Sequence, residues 1–251
     1  MNKNRKIVTS DSLSFVLLII FAGMFLVLIF NSVVWETVLS FIFPDLEEVI
    51  YPRSSLPQLL LDHIILVLVS SLAASIVAIP LGVFVTRRMG SGFKGIFNDL
   101  GSLSQTIPPV AVLALAVPAV GFGFKPTIIA LFLYSLLPIF RNTIVGLEGV
   151  SPAVKEAALG MGMTRLQLLF RVEFPLTAPV IFAGIRISVV VNVGTATIGA
   201  VVGAGGLGNP IISGLIRDNP AFILEGAVTA ALLAVLLDQI IGRIEYMLTP
   251  K

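Results

Sequence analysis

Few side chains in this 251-residue sequence could take part in catalysis or bind a metal ion. The sequence contains no cysteine, and its single histidine, His63, has only Asp62 beside it. A metal site needs several convergent ligands, so these two residues do not predict one. We expect His63 to be an interfacial residue at the end of a helix. The sequence also lacks the G-x-x-x-x-G-K-S/T loop that holds nucleotide phosphates. These features indicate a chain with no catalytic residues, no metal site and no ATPase domain.

A glycine-rich segment, Gly203-Ala204-Gly205-Gly206-Leu207-Gly208, has the G-x-G-x-x-G spacing of a dinucleotide-binding loop. That motif requires a preceding strand, a following helix and a βαβ unit, whereas this segment follows a long apolar run. We therefore predict a tight turn, in which the missing side chains let backbones approach closely. Within it, Gly205 and Gly206 are candidates for part of a gate.

The composition is that of an integral membrane protein. Hydrophobic residues make up 57% of the chain and charged residues only 12%, whereas soluble proteins have about 25% charged residues. A membrane-spanning helix needs roughly 20 mostly apolar residues. Six segments satisfy that requirement: Leu13–Val34, Ile64–Val85, Leu100–Val120, Thr127–Leu147, Pro179–Val202 and Phe222–Ile241. The sequence therefore predicts an all-α membrane fold with about six transmembrane helices, of which prolines interrupt the third and fourth.

Positive charges are concentrated on one side of these predicted spans. Twelve of the sixteen lysines and arginines lie in segments separated by even numbers of spans, and so on one face of the membrane. They are Lys3, Arg5, Lys6, Arg87, Arg88, Lys94, Arg141, Lys155, Arg165, Arg171, Arg243 and Lys251. Because cytoplasmic segments carry an excess of lysine and arginine, we predict that both termini are cytoplasmic. The acidic loop from Asn31 to His63 and the glycine turn are then exterior, and the net charge of +2 does not indicate nucleic-acid binding.

The predicted cytoplasmic segment between the fourth and fifth spans begins with a short helix. Ser151 and Pro152 are favourable residues for its first positions, and Gly160 and Gly162 favour its end. Apolar residues recur between them at the i, i+3, i+4, i+7 spacing of one helix face. These residues are Val154, Ala157, Ala158 and Met161. A helix lying on lipid would carry Trp or Phe on this face, so the alanines favour close packing against another protein surface.

A second short helix is predicted to follow the glycines. It begins at Thr164, which has Gln167 three residues later as a capping-box partner, and it runs to a break at Pro175. The two helices together form a projecting loop.

The residues of this loop resemble the EAA–x3–G–x9–I–x–L–P signature of ABC importer permeases. Glu156-Ala157-Ala158 and Gly162 are followed at the right spacing by Val172-Glu173-Phe174-Pro175, with Val in place of Ile and Phe in place of Leu. The resemblance implies a coupling helix that docks in a cleft of an ATPase subunit. The residues that it assigns to coupling are Glu156, Ala157, Ala158, Gly162, Arg165 and Pro175.

The same resemblance implies the assembly of a type I ABC importer in the bacterial cytoplasmic (inner) membrane. A second permease chain, identical or homologous, is expected beside this one. A dimer of cytoplasmic ABC ATPases would bind ATP and Mg, and an exterior protein would bind the substrate. The permease itself is expected to hold no cofactor.

Three further segments, 106–109, 130–143 and 248–251, resemble permeases for osmoprotectants such as glycine betaine, choline and carnitine. This resemblance runs from about His63 to the end of the chain. It predicts a permease domain over 63–251, preceded over 1–62 by an N-terminal transmembrane helix and an exterior acidic loop.

Polar residues and prolines within the predicted spans are candidates for the pathway or its gate, in addition to Gly205 and Gly206. They are Gln105, Thr106, Pro108, Pro109 and Asn192. Hydrogen bonding between helices is the default role of polar groups in such positions.

Three other functions are compatible with part of this pattern. A permease of the same class for methionine or another amino acid would share the glycine turn. A secondary transporter or channel would place ionisable groups along its pathway, but this sequence offers no such relay. Arg186 lies close enough to the cytoplasmic end of its span to reach the surface, and Glu225 and Asp238 lie near opposite ends of the last span. An intramembrane enzyme would need a metal cluster or a catalytic pair, which the spans lack.

Overall fold

The computed structural model describes residues 3–249, with the side chains of 15–103 and 105–249. Four of the predicted cytoplasmic charges therefore lie outside the described side chains: Lys3, Arg5, Lys6 and Lys251. The described residues form eleven α-helices. These are α1 (Lys3–Phe30), α2 (Ser32–Ile42), α3 (Leu56–Val85), α4 (Lys94–Thr106), α5 (Pro109–Val120), α6 (Phe124–Gly149), α7 (Pro152–Gly160), α8 (Arg165–Leu168), α9 (Phe174–Ala196), α10 (Gly208–Arg217) and α11 (Pro220–Leu248). Within residues 3–249 there is no β-strand, which confirms the predicted all-α class.

Four helical stretches in the described part are long and apolar enough to cross a membrane. They are Leu56–Val85, Phe124–Gly149, Arg165–Val202 and Pro220–Leu248, and they correspond to the second, fourth, fifth and sixth predicted spans. The first predicted span is a bent pair, because α1 and α2 meet at an angle of 80°. The chain is therefore a multi-pass membrane protein with four such helices, or five if the bent pair counts as one span.

A sharp bend follows α1 within the first predicted span. Asn31 caps α2 by accepting a hydrogen bond from the backbone N–H of Val33 at 3.1 Å, so a second helix begins where the first ends. Trp35 of α2 is buried, and its indole Nε1 donates to the carbonyl of Leu28 at 3.0 Å. The indole thus joins α2 to the last turn of α1 by a hydrogen bond.

The third predicted span, Leu100–Val120, is two short helices instead of one. Ile107 and Pro108 between α4 and α5 have extended backbone, with ψ angles of 125° and 139°. A proline disfavours helical geometry in the residue before it, and it has no N–H to donate. Two prolines in succession therefore end α4. The Tyr134 hydroxyl donates to the carbonyl of Ile107, which satisfies an acceptor that the break frees. Both short helices pack on α6.

Helices α3, α6, α9 and α11 form the centre of the bundle, and α1 packs against α11 and α3. Close approach depends on small residues, as is usual between membrane helices. A Cβ on Gly82 of α3 would lie 2.7 Å from Thr143 of α6, and one on Gly184 of α9 would lie 2.7 Å from Asn142 of α6. Both glycines therefore set the separation of α6 from its neighbours.

The chain path gives the bundle two distinct ends. The loop end contains the last turns of α3, α6 and α11, the first turns of α4 and α9, and the helices α7 and α8. The turn end contains the glycine segment 203–208, the first turns of α3, α6 and α11, and helix α10. The described charges predicted to be cytoplasmic belong to segments at the loop end, whereas Arg53, Lys125 and Arg217 belong to the turn end.

Candidate functional site

Helix α7 has the boundaries that its capping residues predict. Pro152 occupies its first turn, although the Ser151 side chain makes no capping hydrogen bond. Its end is a Schellman motif, since the N–H of Gly162 donates to the carbonyl of Leu159 at 2.9 Å and that of Met163 to Ala158 at 3.2 Å. Gly162 has φ +84°, a left-handed conformation that strains any residue with a Cβ. Glycine at 162 is therefore required by the backbone.

Three of the four predicted apolar face residues of α7 are uncovered. Val154 is 41% exposed and Met161 73% exposed, and Ala157 between them is also exposed. Ala158 differs, because it is only 2% exposed and lies against its own chain. We call the surface of Val154, Ala157 and Met161 the α7 face. Because Ala158 is covered, only Ala157 of the two signature alanines is accessible to a partner. Glu156 is exposed beside the α7 face.

The capping box predicted for the second short helix is present. Thr164 Oγ1 accepts from the N–H of Gln167 at 3.3 Å, and Gln167 Oε1 accepts from the N–H of Thr164 at 2.8 Å. The predicted break at Pro175 is wrong, because the helical path continues from Arg165 to Val202. A π turn at Leu169–Glu173 lies just before Pro175. Such a turn widens the helix locally, which accommodates a residue that cannot donate a backbone hydrogen bond.

Glu173 is the main residue of the loop end that sequence reasoning missed. Its side chain is 1% exposed, and its two oxygens accept hydrogen bonds from Nη1 and Nη2 of Arg87 at 3.1 and 2.5 Å. Lys155 Nζ lies 3.5 Å from Oε1 of Glu173 and donates to the carbonyl of Leu147 at 2.9 Å. An acid two residues before a proline, in a basic loop, was the available signal, but the signature allows any residue at that position.

A cleft of about 480 Å³ opens beside α7 at the loop end. Four basic residues line it: Arg87, Arg88, Lys155 and Arg165. Arg87 and Lys155 are paired with Glu173, whereas Arg88 and Arg165 are exposed and make no ion pair among the described residues. The surface around the α7 face is therefore positively charged.

The glycine segment at the turn end is a tight turn, as predicted. Gly203, Gly205 and Gly206 all have positive φ angles, of 77°, 86° and 77°. His63 holds this turn to the bundle: its Nε2 bonds the carbonyl of Val193 at 2.9 Å, and its Nδ1 accepts from the N–H of Leu207 at 3.3 Å. The prediction that His63 is interfacial is wrong, because it lies about two turns into α3 and is fully buried.

Alanine at Gly206 should destabilise the fold more than alanine at Gly203. Each substitution forces a Cβ into a left-handed conformation, at about 1–2 kcal/mol. At Gly206 the new Cβ would also lie 2.9 Å from Nδ1 of His63, whereas at Gly203 it meets nothing within 4 Å. Thermal unfolding in detergent measures both variants. Equal losses of stability in the two variants would show that the contact with His63 does not restrict the side chain at position 206.

The candidate pathway residues fall into separate places. Gln105 and Thr106 end α4, and Pro108 and Pro109 form the break before α5. Gln105 Nε2 approaches the carbonyl of Tyr134 at 3.4 Å, which ties this break to α6. The glycines at 205 and 206 lie at the turn end.

Asn192 lies in the middle of the bundle and is fully buried. Its Nδ2 donates toward Ser70 Oγ at 3.1 Å, Ser71 Oγ at 3.0 Å and Ser135 Oγ at 2.7 Å. It therefore joins α9 to α3 and α6 by hydrogen bonds, which is the default role expected for a polar group within a span. Among the described side chains, its Oδ1 has no hydrogen-bond partner.

Arg186 contacts two acidic residues of the last membrane helix. Its Nε and Nη2 donate to the two carboxylate oxygens of Asp238 at 2.6 and 2.7 Å, and its Nη1 lies 3.5 Å from Glu245. These contacts form an ion pair between α9 and α11, which the sequence did not predict. Within the described residues, no group of three or more histidines or acids could hold a metal ion.

A model of the family described as "Binding-protein-dependent transport system inner membrane component" matches residues 78–251. The choline transport system permease protein OpuBB of Bacillus subtilis (strain 168) is 43% identical over 191 residues, 75% of this chain and 86% of its own length. The carnitine transport permease protein OpuCB of Listeria monocytogenes is 42% identical, with 76% and 86% covered. The osmoprotectant import permease protein OsmW of Salmonella typhimurium (strain LT2) is 40% identical, with 78% and 93% covered.

Solved structures give the same fold at lower sequence identity. The MetNI methionine ABC transporter in an inward-facing conformation superposes with a TM-score of 0.67 at 23% identity, covering 76% of this chain and 94% of that chain. The overall fold of this chain is therefore shared with a known importer. The chain belongs to the family of binding-protein-dependent transport system inner membrane components, the permeases of ABC importers.

Proposed function

We propose that this chain forms half of the translocation pathway of an ATP-driven importer for small osmoprotectants. The observation that carries the proposal is the α7 face, an uncovered apolar surface with Glu156 beside it, placed in the loop that matches the permease signature. The chain then moves substrate without catalysing a reaction. Residues Glu156, Ala157, Gly162 and Arg165 act in coupling, and Ala158 and Pro175 shape the loop.

The proposed partners follow from this family of transporters. Two ATPase subunits on the cytoplasmic side bind ATP and Mg, and one of them receives the α7 face. A second permease chain completes the pathway, with Gln105, Thr106, Pro108, Pro109, Asn192, Gly205 and Gly206 as its candidate residues in this chain. An exterior protein delivers the substrate. The permease domain extends over 63–251, and residues 1–62 add the bent N-terminal pair and the acidic segment after it.

The substrate class tests the proposal directly. We expect cells that carry the complete system, and no other osmoprotectant importer, to accumulate labelled choline, carnitine or glycine betaine in an ATP-dependent manner. Methionine should not accumulate, because the methionine transporter shares only the fold at 23% identity. Deletion of this chain is the control. Uptake of methionine with all three quaternary ammonium compounds ignored would favour the amino-acid permease instead.

We further propose that the loop end faces the cytoplasm. Single cysteines at Val154 and Glu47, both exposed, report this orientation because the natural chain has no cysteine. A membrane-impermeant maleimide should label position 47 in intact cells, and position 154 only after the membrane is permeabilised. Labelling of position 154 from outside would reverse the topology.

A further inference from the structure

We propose that Glu173 is a positioning residue, which ties the coupling helix α7 to the ends of α3, α6 and α9 so that a displacement of α7 reaches all three. The inference rests on the proposed function, in which an ATPase moves α7. The loop signature assigns no role to this position.

The first half of the tie joins α3 to α9. Arg87 lies just beyond α3, and Glu173 immediately precedes α9. Two parallel hydrogen bonds, at 3.1 and 2.5 Å, connect the guanidinium to both carboxylate oxygens. This bidentate arrangement restricts the relative orientation of the two groups as well as their distance. It therefore fixes the end of one membrane helix to the beginning of another.

The second half joins α7 to the same carboxylate. Lys155 Nζ lies 3.5 Å from Glu173 Oε1 and donates at 2.9 Å to the carbonyl of Leu147 in the last turn of α6. Among the described residues, Lys155 is the only α7 residue whose side chain makes a hydrogen bond or ion pair with the rest of the chain. The remaining inward contact of α7 is the small apolar side chain of Ala158. Lys155 is thus the polar tether of the coupling helix.

Burial makes this tie resistant to water. The Glu173 side chain is almost fully covered, so its contacts are little screened, and moving either cation away leaves the buried carboxylate with only one of its two partners. The nearby pair of Lys94 and Glu148, at 2.6 Å, is exposed on both sides. Exposed pairs of this kind contribute little. The Lys94–Glu148 pair, which joins α4 to α6, is therefore a matched control at the same end of the bundle.

A distance measurement tests the tie without requiring transport. Nitroxide labels at Ile96→Cys and Val154→Cys, both exposed positions, report the distance from α4 to α7 in the full chain in lipid nanodiscs. We expect Glu173→Gln and Lys155→Met to broaden this distance distribution at least twofold. Glu148→Gln should leave the distribution unchanged, and Lys155→Arg, which keeps the positive charge, should leave it close to that of the wild-type chain. Lys155→Met keeps the Arg87–Glu173 pair, so it remains informative if Glu173→Gln fails to fold.

The complete transporter supplies the second readout. In the unlabelled chain, Lys155→Met should lower osmoprotectant uptake per ATP hydrolysed at least tenfold while the ATPase still binds. Unchanged distance distributions in both variants, or broadened distributions with normal uptake per ATP, would overturn the positioning role. If the distributions respond as expected but the wild-type complex shows no ATP-driven uptake, the proposed function fails and the tie stands.

Discussion

We expect Ala157→Trp to remove ATP-driven uptake almost completely while the chain still folds and inserts. Ala157 is exposed at the centre of the α7 face and is not covered by its own chain, so a large side chain there meets only a docked partner. Overpacking of a fitted contact costs about 1–3 kcal/mol, which corresponds to a loss of roughly 5- to 150-fold in affinity. Uptake and binding of the ATPase in reconstituted complexes measure the effect.

Two neighbouring substitutions separate docking from folding. Ala157→Ser keeps the small size and should retain uptake. Ala158→Trp places the same bulk where the chain is already packed, since Ala158 is 2% exposed, and should destabilise the isolated chain by about 3 kcal/mol. Normal uptake and ATPase binding by Ala157→Trp would show that the α7 face is not the docking surface.

Loss of either partner of the Arg186–Asp238 pair should weaken the bundle by about 1–3 kcal/mol. The two side chains are 35% and 39% exposed, so the effect falls between that of a buried and an exposed pair. Each of Arg186→Leu and Asp238→Leu leaves a charge in an apolar span without its main partner. Denaturant or thermal unfolding in mixed micelles reports the change.

The double variant is the sharper experiment. Replacing both residues by leucine removes both desolvation penalties, so the double variant should recover most of the stability that either single variant loses. The resulting interaction free energy measures the pair in place. Losses that simply add would mean that the two residues act independently, despite the bidentate contact at 2.6 and 2.7 Å.

Local rules predicted much of this structure because they act within a few residues. Gly162 follows α7 in a left-handed conformation, in agreement with the predicted end of this helix. The predicted capping box of Thr164 and Gln167 is also present. Apolar length alone located the spans that became α3, α6 and α11. These features depend on backbone geometry and nearest neighbours, which a sequence displays directly.

Tertiary contacts explain what the sequence did not reveal. His63 is buried because Val193 and Leu207, more than 100 residues away, supply partners for both ring nitrogens. Arg186 pairs with Asp238, which lies 52 residues away in the sequence on a neighbouring helix. Such pairings arise from helix packing, and no local sequence pattern predicts them.

Prolines at two places show a different limit. Pro175 was expected to break a helix, and the π turn before it accommodates the missing donor instead. Pro108 and Pro109 were expected to interrupt a single span, and they divide it into two separate helices. The same residue type thus has opposite outcomes, which depend on whether neighbouring backbone can compensate.

The amide of Asn192 has two hydrogens but faces three serine hydroxyls, at 3.1, 3.0 and 2.7 Å. Ser70 and Ser135 direct their own hydrogens to carbonyls one turn earlier in their helices, so their oxygens remain free to accept. One acceptor is therefore always in surplus. If α9 slides slightly against α3 and α6, the amide exchanges one serine for another and no hydrogen is left unpaired. The contact that joins the three helices thus contains more acceptors than the amide needs.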